Sequence, residues 1–249
     1  MGEILLGFGI ALAIGLTGVG AGSITAPVLL LALHLPPPVA VGTALVYGGI
    51  IKIAGAPSYL LRKQVNWRVL GWMCLGGLPG VLFGSVLFTR YARTRSDILL
   101  GTLGVVIALG AALNLWRMFR TRNQSAAAAD RRRWLPLITA PIGAEFGFSS
   151  AGAGALGSVA LMSLTTIATS QVVGTDVFFG LALSLVGGGF QLTAGNYDPR
   201  LLMHLLIGGI PGILVGANLS ALLPPRPLRF ALSIWLMSLG GQLCWRSLS

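Results

Sequence analysis

Three charged side chains stand deep inside apolar stretches of this chain: Lys52, Glu145 and Asp176. An ionised group in a membrane interior is costly, so such residues usually belong to a substrate or proton pathway. An ammonium group attracts an anion, and a buried carboxyl group takes up and releases a proton. We therefore predict that Lys52 contributes to substrate binding, and Asp176 and Glu145 to proton coupling. The structural alternatives are a Lys52 side chain that reaches the membrane surface and a Glu145 that lies at the interface.

Two glycine-rich stretches, at residues 18–23 and 149–154, supply the other candidate groups. Free backbone N–H groups at the start of a helix bind anions, and glycine lets a ligand approach them closely. Hydroxyl groups add further hydrogen-bond donors. Besides Lys52, the predicted substrate-binding residues are Gly20, Gly22, Ser23, Thr43, Ser149, Ser150, Gly152, Gly154 and Thr175. The alternative is that these small residues only allow helices to pack closely.

The composition indicates a membrane protein. Of the 249 residues, 55% are hydrophobic and only 9% are charged, whereas a soluble domain has about 25% charged residues. The net charge of +11 would suggest nucleic-acid binding in a soluble protein. Here, however, the basic residues lie in loops between apolar stretches, as in membrane proteins. Tryptophans near the ends of these stretches are typical of interface anchors: they are Trp67, Trp72, Trp116, Trp134 and Trp245.

Eight apolar segments can be recognised in the sequence. They lie at about residues 4–33, 39–61, 69–89, 97–116, 134–165, 170–194, 201–223 and 228–245. An arginine-rich linker at residues 119–133 separates a first half, residues 1–118, from a second half, residues 134–249. Because basic loops favour the cytoplasmic side, we predict that this linker and the loop between Arg62 and Arg68 are cytoplasmic.

The segments at residues 4–33 and 134–165 are too long for a single straight span. About 30 residues make a helix of about 45 Å, against a hydrocarbon core of about 30 Å. Each segment also contains one glycine-rich stretch, and non-helical backbone inside a membrane is tolerated where it is protein-buried or lines a cavity. We therefore predict an all-α integral membrane protein. Each half has a discontinuous, re-entrant first segment followed by three transmembrane helices.

The two halves repeat one another. Residues 15–88 align on residues 147–220 without a gap, with 20 identical positions, of which ten are glycines. Three crossings per half would invert the second half relative to the first, whereas four would leave the halves parallel. Both interpretations place 11 Lys and Arg residues inside and 5 outside when Lys52 is set aside, so charge does not distinguish them. The segment lengths favour inverted repeats.

Inversion would have a geometric consequence for two of the charges. Lys52 lies four residues after Gly48, and Asp176 lies four residues before the aligned Gly180. With the two glycines level in the membrane, Lys52 and Asp176 would lie at a similar depth. In parallel repeats they would differ in depth by about 12 Å.

The glycine-rich stretch at residues 15–29, the Val41-Gly42-Thr43-Ala44 sequence after it, and the return of the pattern in the second half resemble the TauE/SafE family of sulfite-exporter-like permeases. The resemblance covers nearly the whole chain. It implies a multi-pass transporter of small sulfur-containing or organic anions, such as sulfite, thiosulfate and sulfoacetate, in the inner (cytoplasmic) membrane of a bacterium. The second half departs from the pattern, since Ser149-Ser150 replaces Thr17-Gly18, so the two breaks need not act equally.

An ion channel or cation permease is the main alternative function. Cation sites usually need several oxygen ligands, and the carboxylates of this chain are few and scattered. No His, Cys, Asp or Glu residues have the spacing of a metal site or an activated nucleophile, so we predict no enzymatic activity, metal or cofactor. A purely structural membrane protein would not need two broken segments at matching positions. The expected partners are a small anionic substrate and the lipid bilayer, without nucleic acid, and a homodimer is left open.

Overall fold

The structure, a computed structural model, describes residues 1–17, 20–94, 96–120, 131–151, 153–219 and 225–248. One residue of the predicted site, Gly152, lies outside the described residues, as does most of the linker at residues 119–133. The extent of that linker, and with it the exact boundaries of the two repeated halves, therefore stays a prediction.

The chain is all-helical across the described ranges, as the apolar segments predict. The helices are α1 (Gly2–Thr17), α2 (Ala21–Ala32), α3 (Pro37–Leu61), α4 (Trp67–Thr94), α5 (Ser96–Arg120), α6 (Leu135–Ser149), α7 (Ala153–Leu164), α8 (Thr169–Thr193), α9 (Pro199–Leu219) and α10 (Pro225–Leu248). A short 3₁₀ turn, Arg132–Trp134, precedes α6. Among the described residues, four helices have the length and hydropathy to cross a membrane: Pro37–Leu61, Trp67–Ala92, Ser170–Thr193 and Pro199–Leu219.

The two long apolar segments are interrupted in the structure at their glycine-rich stretches. α1 ends at Thr17 and α2 begins at Ala21, while α6 ends at Ser149 and α7 begins at Ala153. α1 has 16 residues and α2 has 12, so they are about 24 and 18 Å long and neither alone spans a core of about 30 Å. At the second break, Ser150 adopts a left-handed backbone conformation with φ 60°.

The halves pack across one another rather than side by side. α1 of the first half packs along α9 of the second, and α6 of the second half packs along α4 of the first. Glycines permit both contacts: a Cβ on Gly208 would collide with the carbonyl oxygen of Ile4, and a Cβ on Gly76 would collide with that of Pro136. The two contacts are related by the 132-residue repeat, so the repeated glycines of α4 and α9 are backbone-to-backbone packing positions.

The aligned helices α3 and α8 contact one another and run antiparallel. Leu45, early in α3, lies against Gly188, late in α8, and Gly48 and Gly49 lie against Ser184. Later residues of α3 therefore lie against earlier residues of α8. The aligned pair α5 and α10 follows the same rule, because Gly104 lies against Cys244 and Gly240 lies against Ala108.

The buried core surrounds the α3–α8 contact. Its largest fully buried side chains include Tyr47 and Ile51 of α3, Phe146 of α6 and Phe179 of α8. The hydroxyl of Tyr47 donates a hydrogen bond to the carbonyl oxygen of Gly7 at 2.9 Å. This bond joins α3 to α1, the first helix of the broken first segment.

Candidate functional site

The two helix breaks contact each other. The Ser150 hydroxyl donates a hydrogen bond to the Gly22 carbonyl oxygen at 3.2 Å, and a Cβ on Gly22 would collide with the Ser150 carbonyl oxygen. A Cβ on Gly20 would lie 3.5 Å from the backbone nitrogen of Gly154. The N-terminal ends of α2 and α7 therefore converge, bringing together backbone N–H groups that have no partner within their own helices.

Lys52 projects from α3 into the space beside these breaks. Its Nζ donates a hydrogen bond to the Ser184 Oγ at 3.3 Å and lies 5.3 Å from the centroid of the Phe146 ring, within the range of a cation–π contact. A Cβ on Gly180 would lie 2.7 Å from Nζ. The absence of a side chain at Gly180 thus makes room for the ammonium group.

Asp176 is buried on α8, one helical turn before Gly180. The Ser158 hydroxyl of α7 donates a hydrogen bond to Oδ2 at 2.6 Å, and a Cβ on Gly157 would collide with Oδ1. Lys52 Nζ lies against Gly180, and the Cα atom of Gly180 is four positions, or about 6 Å along the α8 axis, from that of Asp176.

A cavity of about 100 Å³ joins these groups. Its lining includes Gly20 and Gly154 from the two breaks, Lys52 from α3 and Asp176 from α8. One water molecule needs about 10–15 Å³ of such space, so the cavity suits a ligand of a few non-hydrogen atoms. One small cavity thus brings together an ammonium group and two helix N-termini, which are groups that attract anions.

The cavity extends from this centre along α3, past Gly55 to Tyr59. Gly55 lines it, and a Cβ placed on Gly55 would meet no atom within 4 Å. At the aligned position in the second half, a Cβ on Gly187 would lie 3.0 Å from Val81 and 3.7 Å from Leu45. The space next to Gly55 is therefore open, whereas side chains fill the space next to the aligned Gly187.

The chain is similar to membrane transporter proteins of one family. The family described as "Sulfite exporter TauE/SafE" matches residues 4–243. The chain belongs to the TauE/SafE family. It is 34% identical to the probable membrane transporter protein YjnA of Bacillus subtilis over 92% of this chain and 94% of the relative. It is 25% identical to the probable inner membrane transporter protein TsaS of Comamonas testosteroni over 80% of this chain and 84% of the relative. No solved structure matches it.

Two predicted site residues of this TauE/SafE protein lie elsewhere. The Thr43 hydroxyl accepts a hydrogen bond from the Asp198 amide at 3.2 Å, and the Thr175 hydroxyl accepts one from the Asn66 amide at 3.0 Å. These contacts are related by the repeat, since Asp198 aligns with Asn66. Each threonine holds the loop before a helix of the other half, and neither is among the residues that line the cavity.

Five other predicted residues are not in the cavity lining either: Gly22, Ser23, Glu145, Ser149 and Ser150. The Ser149 hydroxyl donates to the Glu145 side chain at 3.2 Å and accepts from the Ala151 amide at 3.1 Å. Glu145 Oε2 is buried without a hydrogen-bond partner among the described residues. Ser23 lies in the first turn of α2, where its amide donates to the Gly20 carbonyl oxygen at 3.1 Å. Glu145 and Ser149 thus lie at the end of α6, before the second break, and Ser23 lies at the start of α2, after the first break.

The structure adds side chains that the sequence did not single out as site residues. Ser184 contacts Lys52 and is its aligned residue in the repeat, so the alignment contained a signal for it. Phe146 and Ser158 carry no such signal, because an aromatic or serine residue in an apolar helix is ordinary. Only the packing of α6 on the core and of α7 on α8 brings them to the charged groups.

Proposed function

We propose that this TauE/SafE protein is a secondary transporter that moves a small anion across the inner membrane. The observation that carries the proposal is the cavity between the two breaks, where Lys52 Nζ and the N-terminal ends of α2 and α7 converge. Relatives named as probable membrane transporters, one of them an inner membrane transporter, agree with this function and location.

We infer that the two halves are inverted repeats with the substrate between them. The antiparallel contacts of α3 with α8 and of α5 with α10 support this inference, because aligned helices of parallel repeats point the same way. The interrupted first segments support it as well, since each is made of two helices too short to cross alone. In transporters of this kind, broken helices at the repeat interface form the substrate site.

The charge and size of the cavity support a small anion as the substrate. A positive ammonium group and two helix N-termini attract an anion, and about 100 Å³ admits only a small one. Sulfite, thiosulfate and a short sulfonate such as sulfoacetate combine negative charge with few atoms. The family description names sulfite export, which makes sulfite the first substrate to test.

We propose that the same site binds a proton. Asp176 lies in the cavity, where Ser158 orients its carboxyl group and Lys52 lies about one helical turn away. Entry of an anion next to Asp176 favours the neutral, protonated carboxyl, because two negative charges in a low-dielectric cavity repel one another. Anion and proton would then cross together. Glu145, buried behind the second break, is the second candidate carrier.

A transport assay on the purified chain tests these proposals. Proteoliposomes are given labelled sulfite, thiosulfate or sulfoacetate, with and without a pH gradient of fixed sign. We expect uptake of at least one anion and faster uptake with the gradient. Flux of a metal cation without flux of any of these anions would instead identify a channel or cation permease.

Thiol accessibility tests the direction in which the cavity opens. It extends toward Gly55 and Tyr59, near the end of α3 that precedes the basic loop at residues 62–68. In a variant without Cys74 and Cys244, we expect Gly55→Cys to react with an impermeant maleimide added on the cytoplasmic side. The matched Gly187→Cys should stay unlabelled, since Val81 packs against that position. Equal labelling of both would contradict a cavity open to the cytoplasm.

A further inference from the structure

A second, larger cleft lies at the start of the second half. Its volume is about 630 Å³. Six residues line it, and together they are called the basic cleft: Arg68, Trp72, Arg131, Arg132, Arg133 and Trp134. They come from the first turns of α4 and from the 3₁₀ turn before α6. The cleft thus contains four arginines and two tryptophans, and no acidic residue is among its described lining.

Two hydrogen bonds hold the elements that form the walls of the basic cleft. The Arg131 amide donates a hydrogen bond to the Leu164 carbonyl oxygen at 2.9 Å, which anchors the 3₁₀ turn to the end of α7. The Thr139 hydroxyl donates to the Met73 carbonyl oxygen at 2.9 Å, which joins α6 to α4. Three arginines at the anchored turn and a fourth on α4 give the basic cleft a positive potential, which favours an anionic occupant.

The repeat shows that the duplicated fold does not require this cluster. Arg68 aligns with Arg200, but Trp72 aligns with His204 and Trp134 aligns with Gly2. At that corresponding place the His204 ring contacts the Glu3 carboxylate, so an acid and a histidine meet there instead. The basic cleft is therefore particular to one end of the protein. That end also carries the basic loop at residues 62–68, which predicts the cytoplasmic side.

The groups in the basic cleft match the chemistry of a phospholipid headgroup. Arginine binds phosphate oxygens through two parallel hydrogen bonds. The Trp134 side chain is 59% exposed, and tryptophan settles at the level of lipid headgroups. The cytoplasmic leaflet presents anionic lipids to basic residues next to membrane helices. We propose that the basic cleft binds the phosphate headgroup of an anionic phospholipid of the cytoplasmic leaflet.

Lipid titration of the purified full chain in detergent tests this proposal. Bound lipid is counted by native mass spectrometry while phosphatidylglycerol, cardiolipin or phosphatidylcholine is added. We expect the anionic lipids to bind more tightly than phosphatidylcholine. The double variant Arg131→Gln/Arg133→Gln should lose about 100-fold or more in that affinity, since each hydrogen bond between an arginine and the phosphate contributes about tenfold or more. The matched double variant Arg62→Gln/Lys63→Gln, on the same side but outside the cleft, should change it by less than about threefold.

Two results would overturn the proposal. One is an equal loss of lipid affinity in the two double variants, which would show that binding depends on the overall positive charge and not on the cleft. The other is saturation of the cleft by inorganic phosphate or glycerol phosphate, with lipid excluded, which would identify a soluble phosphate ligand. Should the cleft variant fail to fold, as judged by size-exclusion chromatography, Trp134→Ala is the second test. This exposed side chain can be removed without opening the core, and its loss should weaken binding of the anionic lipids.

Discussion

Replacing Lys52 with methionine removes the ammonium group from the cavity and keeps an unbranched side chain. In the native protein Nζ lies 3.3 Å from Ser184 Oγ and 5.3 Å from the Phe146 ring centroid, so it is positioned before any anion arrives. A hydrogen bond to a charged group contributes about 1.5–3 kcal/mol. Since about 1.4 kcal/mol corresponds to a factor of ten, we expect the variant to bind the anion about 10- to 150-fold more weakly.

The Lys52→Met variant should fold at least as well as the native chain. Burial of an ammonium group costs free energy unless its partners compensate, and methionine carries no such cost. We therefore expect this variant to have a lower anion affinity and an undiminished yield of folded protein. This separates a role in binding from a role in stability.

The assay is the concentration dependence of anion uptake into proteoliposomes, normalised to reconstituted protein. Lys52→Arg retains the positive charge and should keep part of the affinity. Ser184→Ala removes only an uncharged partner, so its expected loss is about 2- to 13-fold, from a contribution of about 0.5–1.5 kcal/mol. A Lys52→Met protein whose apparent KM stays within about twofold of the native value would refute the assignment of Lys52 to the substrate.

Three further substitutions separate coupling, folding and positioning. Asp176→Asn keeps the shape of the side chain, so we expect anion uptake to persist but to lose its acceleration by a pH gradient; gradient-driven uptake at the native rate would exclude Asp176 as the carrier. Gly22→Ala places a Cβ on the Ser150 carbonyl oxygen, where backbone meets backbone, and we expect a loss of at least about 2 kcal/mol, measured by thermal unfolding. Gly180→Ala places a Cβ 2.7 Å from Lys52 Nζ; because the flexible lysine can move, Tm should hold while anion affinity falls, and unchanged affinity would contradict the placement of the ammonium group.

The interruptions of the two long segments were predictable from sequence. Apolar length and local glycine content are properties of a single stretch of chain, and the thickness of a bilayer supplies the scale against which to judge them. The structure accordingly ends α1 at Thr17 and α6 at Ser149, within or next to the predicted stretches. The all-helical, multi-pass character follows from the same features, the length and composition of the apolar segments.

The roles of the paired threonines were not predictable in this way. Thr43 and Thr175 follow glycine in both halves, and each could face the ligand or a neighbouring loop. The sequence does not say which helices cross. In the structure each threonine meets the loop before a helix of the other half, at Asp198 and Asn66. The repeat shows that the two residues are equivalent, and the packing of the helices shows that each makes the same kind of contact with a loop.

The sequence by itself determined the membrane class, the duplication, the two breaks and the presence of three charges in apolar helices. Those features depend on composition and on spacing along one chain. Only the tertiary structure decided that the breaks contact each other, that Lys52 and Asp176 share one cavity, and that Phe146, Ser158 and Ser184 surround them. The physical reason is that each of these contacts joins residues of different helices, often of different halves. Their meeting depends on how glycine-lined helix surfaces pack, which no single segment encodes.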